Sequence, residues 1–295
     1  MKSLISEFSY GFALTHELVI ALGTLSAAPI FPSLIEEGRS GGGYDVKLEA
    51  PGIPLFIQFK RSDCLSTGNA REIRAGAPLS TPYYRFEITA KADSEQHQML
   101  IDLDQAPNLV FYAAPMFHRK AEFDTAFVGG RVRQNSFYVR PRTIGSFTDN
   151  RPHYLSFDGS RCFVMSKLRE VEAFGVSELE SLLASHLREE KRPLRATIEI
   201  ALSEAEAAQA KSRERVRRRE RSIDYAESLA FDVVTETSSA ISQVERFRQR
   251  QEGAIPPAID AATSDGPERT ALRALADIGL REFSAQLYVV QKKKA

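Results

Sequence analysis

The 295-residue chain has no tryptophan, only two cysteines and no surplus of either charge, with 39 Lys+Arg against 39 Asp+Glu. Cys64 and Cys162 lie far apart and match no zinc or redox spacing, which excludes a disulfide framework and points to a reduced, cytoplasmic compartment. No stretch approaches the ~18 apolar residues that a membrane span needs. The opening Met1-Lys2-Ser3-Leu4 has neither the apolar core nor the cleavage site of a signal peptide, so a soluble protein with no membrane partner is expected. Charge neutrality excludes a wholly basic binding protein but leaves room for charge segregated along the chain. With 43% hydrophobic and 26% charged residues, the chain can build a substantial core and exceeds the usual ~100–200 residues of one domain.

Texture divides the chain into three zones. Residues 1–165 are rich in Gly, Pro, Phe and Tyr and read as short strands with a few helices. Apolar residues at helical spacing predict a helix over 12–25. Extended segments follow at Ile30–Ile35, Tyr44–Leu48 and Leu55–Phe59, the last two separated by the breaker Ala50-Pro51-Gly52. Tyr83–Ile88 alternates as a strand. Asp93-Ser94 opens a helix over 93–105, and Leu109–Ala113, Arg131–Val139, His153–Phe157 and Cys162–Met165 read as further strands. Residues 166–252 are dominated by the helix formers Ala, Leu, Glu and Arg, with a break at Pro193. Residues 253–268 read as a linker, followed by a short helix and a terminal strand to 295.

Chemistry concentrates in Gly41-Gly-Gly-Tyr-Asp45 and Leu55-Phe-Ile-Gln58-Phe59-Lys60-Arg61. Gln58 and Lys60 are two apart on a strand and share a face. A hairpin with the preceding strand brings Asp45 beside them. A carboxylate, an amide oxygen and a lysine converging on an otherwise apolar sheet is the inventory of phosphodiester cleavage. Hard oxygens hold Mg²⁺, the metal acidifies a water, and a cation offsets charge on the phosphate.

At these residues the chain resembles the PD-(D/E)xK, or restriction-endonuclease-like, superfamily, and within it the Mrr-type branch in which Gln precedes x-Lys. The resemblance covers roughly residues 8–118. It implies an α/β fold with an αβββαβ mixed-sheet core, here carrying an α-helical C-terminal region. It also implies an Mg²⁺- or Mn²⁺-dependent DNA endonuclease, of the kind found in bacterial restriction or anti-phage defence, with RNA an open alternative substrate. The metal ligands implied are Asp45, Gln58 and the Phe59 carbonyl, with Glu17 of the first helix as a second acid and His16 adjacent to it. Lys60 then positions or activates water. The chain departs from the strict pattern in having no Pro before Asp45 and a neutral Gln58, which weakens metal binding and leaves Glu17 more important. The alternative is a nuclease-type fold without catalysis, serving as a nucleic-acid-binding or assembly subunit.

Other residues carry weaker signals. Arg61 and Ser62 follow the motif within reach of phosphate. Gln96 and His97, early in the second helix, are candidates to approach the site or the nucleic-acid backbone, against the commoner capping or surface role, and His118 and His153 read as strand-end residues. Asn135, Ser136 and Ser156 have no base paired with them in sequence, so no nucleophilic triad is proposed. Lys211 to Arg221 carries seven basic residues against two acidic ones. On a helix this makes a positive stripe, with Arg215, Arg218 and Arg219 as nucleic-acid contacts, against the commoner solvated face. Apolar helical faces around it suit a homo-oligomer or a partner protein.

Overall fold

The computed structural model describes residues 1–22, 49–68, 70–91, 93–230 and 267–291. Asp45, the expected strands Ile30–Ile35 and Tyr44–Leu48, and most of the expected linker lie outside these residues. Helix α1 (Glu7–Leu22) comes first, followed by strands β1 (Gly52–Phe59) and β2 (Asp63–Leu65) and the one-turn helix α2 (Arg71–Arg74). Strand β3 (Tyr83–Ile88), helix α3 (Gln96–Leu103), strand β4 (Leu109–Pro115) and helix α4 (Lys120–Val128) come next. Then follow β5 (Ser136–Val139), the turn helix α5 (Pro141–Ile144), β6 (His153–Phe157), β7 (Cys162–Val164), β8 (Arg169–Glu170) and β9 (Ala173–Phe174). Two long helices, α6 (Val176–Glu189) and α7 (Leu194–Ala230), are separated at Pro193, and α8 (Pro267–Phe283) and β10 (Gln286–Gln291) close the chain.

These elements form a mixed α/β protein with two five-stranded sheets, ordered β10-β1-β4-β5-β9 and β2-β3-β6-β7-β8. In the first sheet β1 runs parallel to β4 and antiparallel to β10. Parallel neighbours need a crossover, and α3 lies on the connection between β1 and β4, with the β2–α2–β3 unit inserted before it. The alternation of β1 decides which layer lies on which face. Ile53, Leu55 and Ile57 join a core with α1, α4 and α6 that contains Leu14, Leu18, Ala126 and Leu183. Phe56 points the other way, into a larger core shared with the second sheet and with α3, α7 and α8.

Two glycines set these close approaches. A Cβ on Gly11 of α1 would stand 2.7 Å from the Phe59 ring, and one on Gly279 of α8 would stand 3.0 Å from the Phe56 ring. On α7 the inward positions Ala201, Ala205 and Ala208 are small and fully buried, letting the helix lie close to α3 and α8. The three zones of the sequence therefore share cores. β10, from the end of the described chain, is hydrogen-bonded along β1 from Gly52↔Gln291 to Ile57↔Gln286.

β10 holds one edge of β1 over Gly52–Ile57 and β4 the other over Leu55–Phe59. The expected hairpin partner, residues 44–48 with Asp45, lies outside the described residues.

Candidate functional site

Gln58 and Lys60 stand at the carboxyl end of β1, on the face that carries Phe56. In α/β sheets this end of a parallel strand is where ligands commonly bind. Gln58 lies opposite Tyr112 of β4, and the Lys60 N–H donates to Ala113 O at 2.8 Å. Gln58 is 4% exposed. Its Nε2 reaches Phe283 O at 3.5 Å, the outer limit of a hydrogen bond, and its Oε1 has no partner among the described residues. A buried carbonyl oxygen left unpaired costs about 1–3 kcal/mol, so Gln58 is held in place against its own solvation.

Lys60 is half-buried, with its Nζ 5.3 Å from the centroid of the Tyr112 ring. Burial lowers its pKa, and the charges of Glu7 and Glu87 oppose that effect without overcoming it. No carboxylate stands within ion-pair distance of its ammonium among the described residues.

Beneath Lys60, Tyr112 belongs to a polar network inside the larger core. The Tyr112 hydroxyl and His97 Nδ1 are 2.9 Å apart, and His97 Nε2 lies 2.9 Å from Gly145 O. A carbonyl can only accept, so the imidazole proton sits on Nε2 and Nδ1 accepts from the tyrosine. Burial holds the His97 pKa down to about 4, with the Gly145 carbonyl pulling upward, so the ring is neutral at physiological pH. Burial likewise raises Tyr112 and keeps its proton on. A ring stack continues from Tyr112 to His97, from His97 to Phe147 at 5.0 Å, and from Phe147 to His153 at 3.6 Å. His153 Nε2 contacts Asp149 Oδ1 at 2.8 Å.

The remaining candidates separate from this centre. Glu17 is buried on α1, on the opposite face of the sheet, and its two oxygens accept the Val132 and Arg133 N–H groups, each at 2.8 Å. Its carboxylate ties α1 to a turn and is not brought to Gln58 and Lys60. His16 is exposed, with its ring 6.0 Å from that of Phe127. The Phe59 ring packs on α1, edge-on to Tyr10. Arg61 is exposed, and its backbone N–H donates to Glu7 Oε1. The Ser62 hydroxyl donates to Pro115 O. Gln96 starts α3, its N–H bonded to Ser94 Oγ at 3.2 Å. His118 is buried, with Nδ1 3.2 Å from Glu122 Oε2 at an angle that makes no hydrogen bond. Ser136 accepts from Tyr10 and donates to Val132 O, whereas the buried Ser156 hydroxyl has no partner.

The basic run of α7 is also redistributed. Arg215 Nε pairs with Glu95 Oε2 at 2.7 Å and its Nη1 with Asp102 Oδ2 at 2.8 Å. Arg219 pairs with Glu95 and donates to Lys91 O. Both arginines clamp α7 onto α3, which corrects their expected role as free phosphate contacts. Arg218 is exposed and pairs with Glu214 at 2.9 Å.

A magnesium site asks for several hard oxygens, usually with one or two carboxylates. The described part of this face supplies one orphaned neutral oxygen, Gln58 Oε1. Among the described residues no group of three or more His, Cys, Asp and Glu is placed to hold a metal ion, so they do not by themselves make a metal site. Sequence reasoning missed Tyr112, which reads as one apolar residue of a buried strand, and placed His97 at the surface. The His97 signal was available, since it stands three residues before the inward Leu100 and so shares its face of the helix. No helix among the described residues is long and apolar enough to cross a membrane. Comparison with protein-family models, curated proteins and solved structures finds no match.

Proposed function

We propose that the Gln58–Lys60 face is the working site of a metal-dependent DNA endonuclease built on a restriction-endonuclease-like core. One observation carries this reading: a buried amide oxygen without a partner and a lysine without a carboxylate, each among the described residues, share one face of the sheet. An oxygen ligand and a cation side by side suit a phosphodiester, whose charge the ammonium would offset as it grows in the transition state. The crossover from β1 through α3 to β4, with helices on both faces of the sheet, agrees with such a core. The β10 strand along β1 departs from it. Magnesium or manganese enters only if Asp45 adds a carboxylate to Gln58, with the Phe59 carbonyl beside it. Restriction or anti-phage defence is the setting that the resemblance implies.

Calorimetric titration with Mn²⁺, comparing the wild type with Asp45→Ala, tests the ligand set without knowledge of the substrate. Binding lost in the variant is expected. Replacement of Lys60 by Ala should lower cleavage of duplex DNA by at least roughly 100-fold while leaving the melting temperature in place. Cleavage retained by Lys60→Ala refutes the role given to the lysine.

A second reading is favoured by Glu17, which spends both oxygens on backbone on the far face. In that reading the fold is a nucleic-acid-binding or assembly subunit that cleaves nothing. Absence of Mn²⁺ binding even with DNA present would select it.

A further inference from the structure

We infer that Arg213, Arg217 and Arg221, with Arg218 alongside, form a ridge on α7 that docks on the phosphate backbone of duplex DNA. The clamp on α3 determines the rotation of α7 about its axis. Arg215 and Arg219 point to Glu95 and Asp102, and Ser212 and Val216 are buried on the same side. At 100° per residue, positions 213, 217 and 221 then fall in line on the opposite, solvent-facing side. All three arginines are exposed and, with Lys211 and Arg218, make five basic side chains against two acidic ones, Glu214 and Glu220. Glu214 is taken by Arg218 at 2.9 Å. None of the three ridge arginines has an ion pair among the described residues.

Arginines at i, i+4 and i+8 repel one another along a helix, so the line weakens α7 unless an anion lies across it. The spacing suits a regular polyanion. Four residues of helix rise about 6 Å, close to the roughly 6.8 Å by which alternate phosphates of one strand advance along the duplex axis. Guanidinium forks are suited to phosphate oxygens. The choice of DNA rests on the phosphodiester reading of the Gln58–Lys60 face, whereas the ridge itself depends only on α7.

The test is fluorescence anisotropy of the full chain with a labelled DNA duplex of about 20 base pairs, between about 50 and 200 mM salt. The wild type is compared with the triple variant Arg213→Gln, Arg217→Gln, Arg221→Gln. Each phosphate contact contributes about 0.9 to the log–log salt slope. The triple variant should therefore lose about 2.7 of that slope, and its affinity should fall about 40-fold less than that of the wild type across this range. Arg215→Gln, which faces inward, should leave the slope unchanged. An unchanged slope in a triple variant of normal melting temperature overturns the ridge. So does wild-type binding to anionic phospholipid vesicles but not to duplex DNA. Lys60→Ala keeps the two proposals apart: cleavage lost with the slope intact supports the nuclease reading, and says nothing against the ridge.

Discussion

Replacing Gln58 with Met should stabilise the protein, because the oxygen it removes is a cost in the resting structure. Gln58 Oε1 is buried with no partner among the described residues, worth about 1–3 kcal/mol of unmet solvation. What Gln58 gets in return is one Nε2 contact to Phe283 O at 3.5 Å, near the bottom of the roughly 0.5–1.5 kcal/mol that a hydrogen bond adds. Methionine has nearly the same length and volume, and its thioether adapts to irregular gaps, so repacking on the face shared with Phe56 and Tyr112 should cost little. The net expectation is a gain of about 1 kcal/mol. Unfolding entropy of ~2.1 cal/mol/K per residue over 295 residues is about 0.6 kcal/mol/K, so the melting temperature should rise by about 2 °C. Differential scanning calorimetry of the two proteins in metal-free buffer reads this directly. The same variant should lose Mn²⁺ binding and DNA cleavage, the stability–activity trade expected of a functional group. A fall in melting temperature would mean that the oxygen is satisfied in the resting protein, and would remove the observation on which the site rests.

Two further predictions concern residues that separate structure from chemistry. Glu17→Ala leaves the N–H groups of Val132 and Arg133 without their acceptor, which should cost about 3 kcal/mol and about 5 °C of melting temperature. Its cleavage rate at a temperature where it is folded should match the wild type, and a rate loss comparable to that of Lys60→Ala would return Glu17 to the site. His97 should make the protein acid-sensitive. Its folded pKa of about 4 lies below the ordinary 6.5, so as pH falls from 6.5 to 4 the unfolded chain binds a proton that the folded ring refuses. Stability present above pH 6.5 should be lost over that window, by about 3 kcal/mol at 1.36 kcal/mol per unit. Urea denaturation at stepped pH should show this slope in the wild type and not in His97→Phe. Equal slopes in both would show that the ring is not held neutral.

Much of the local structure was legible because it depends on period and punctuation. Tyr83–Ile88 is a strand with the expected bounds, β6 spans His153–Phe157 as read, Pro193 divides α6 from α7, and the terminal helix and strand are present. The shared face of Gln58 and Lys60 follows from the two-residue repeat of a strand and needs nothing else. What could not be read depends on partners distant in sequence. One neighbour of β1 is β10, more than two hundred residues away, and nothing in the local pattern around Ala50-Pro51-Gly52 signals that pairing. Glu17 was correctly placed on a helix, but spacing does not say which face of the sheet that helix covers. Arg215 and Arg219 became clamps because Glu95 and Asp102 of α3 lie opposite them. A run of arginines carries no record of its own rotation.

The polar face of β1 is the place where the chain departs from its own economy. Along β1 and β4 the side chains are otherwise Ile, Leu, Phe, Val, Tyr and Ala, apart from one proline in each strand. An apolar residue at either position 58 or 60 would extend the core. Instead one position carries an amide with an unmet oxygen, and the next on that face carries an amine whose charge burial disfavours. The unmet oxygen alone costs about 1–3 kcal/mol in a protein whose whole stability is about 5–15 kcal/mol, and the buried amine adds to it. Two such costs at unrelated places would be ordinary. Side by side at the carboxyl end of parallel strands, they suit a ligand that brings a cation or donor for the oxygen and an anion for the amine. A metal-bound phosphodiester offers both at once, whereas a simple salt bridge to Lys60 would leave Gln58 as it is. A ligand of mixed charge is therefore the occupant that the proposed site calls for, whichever residue provides the remaining acid.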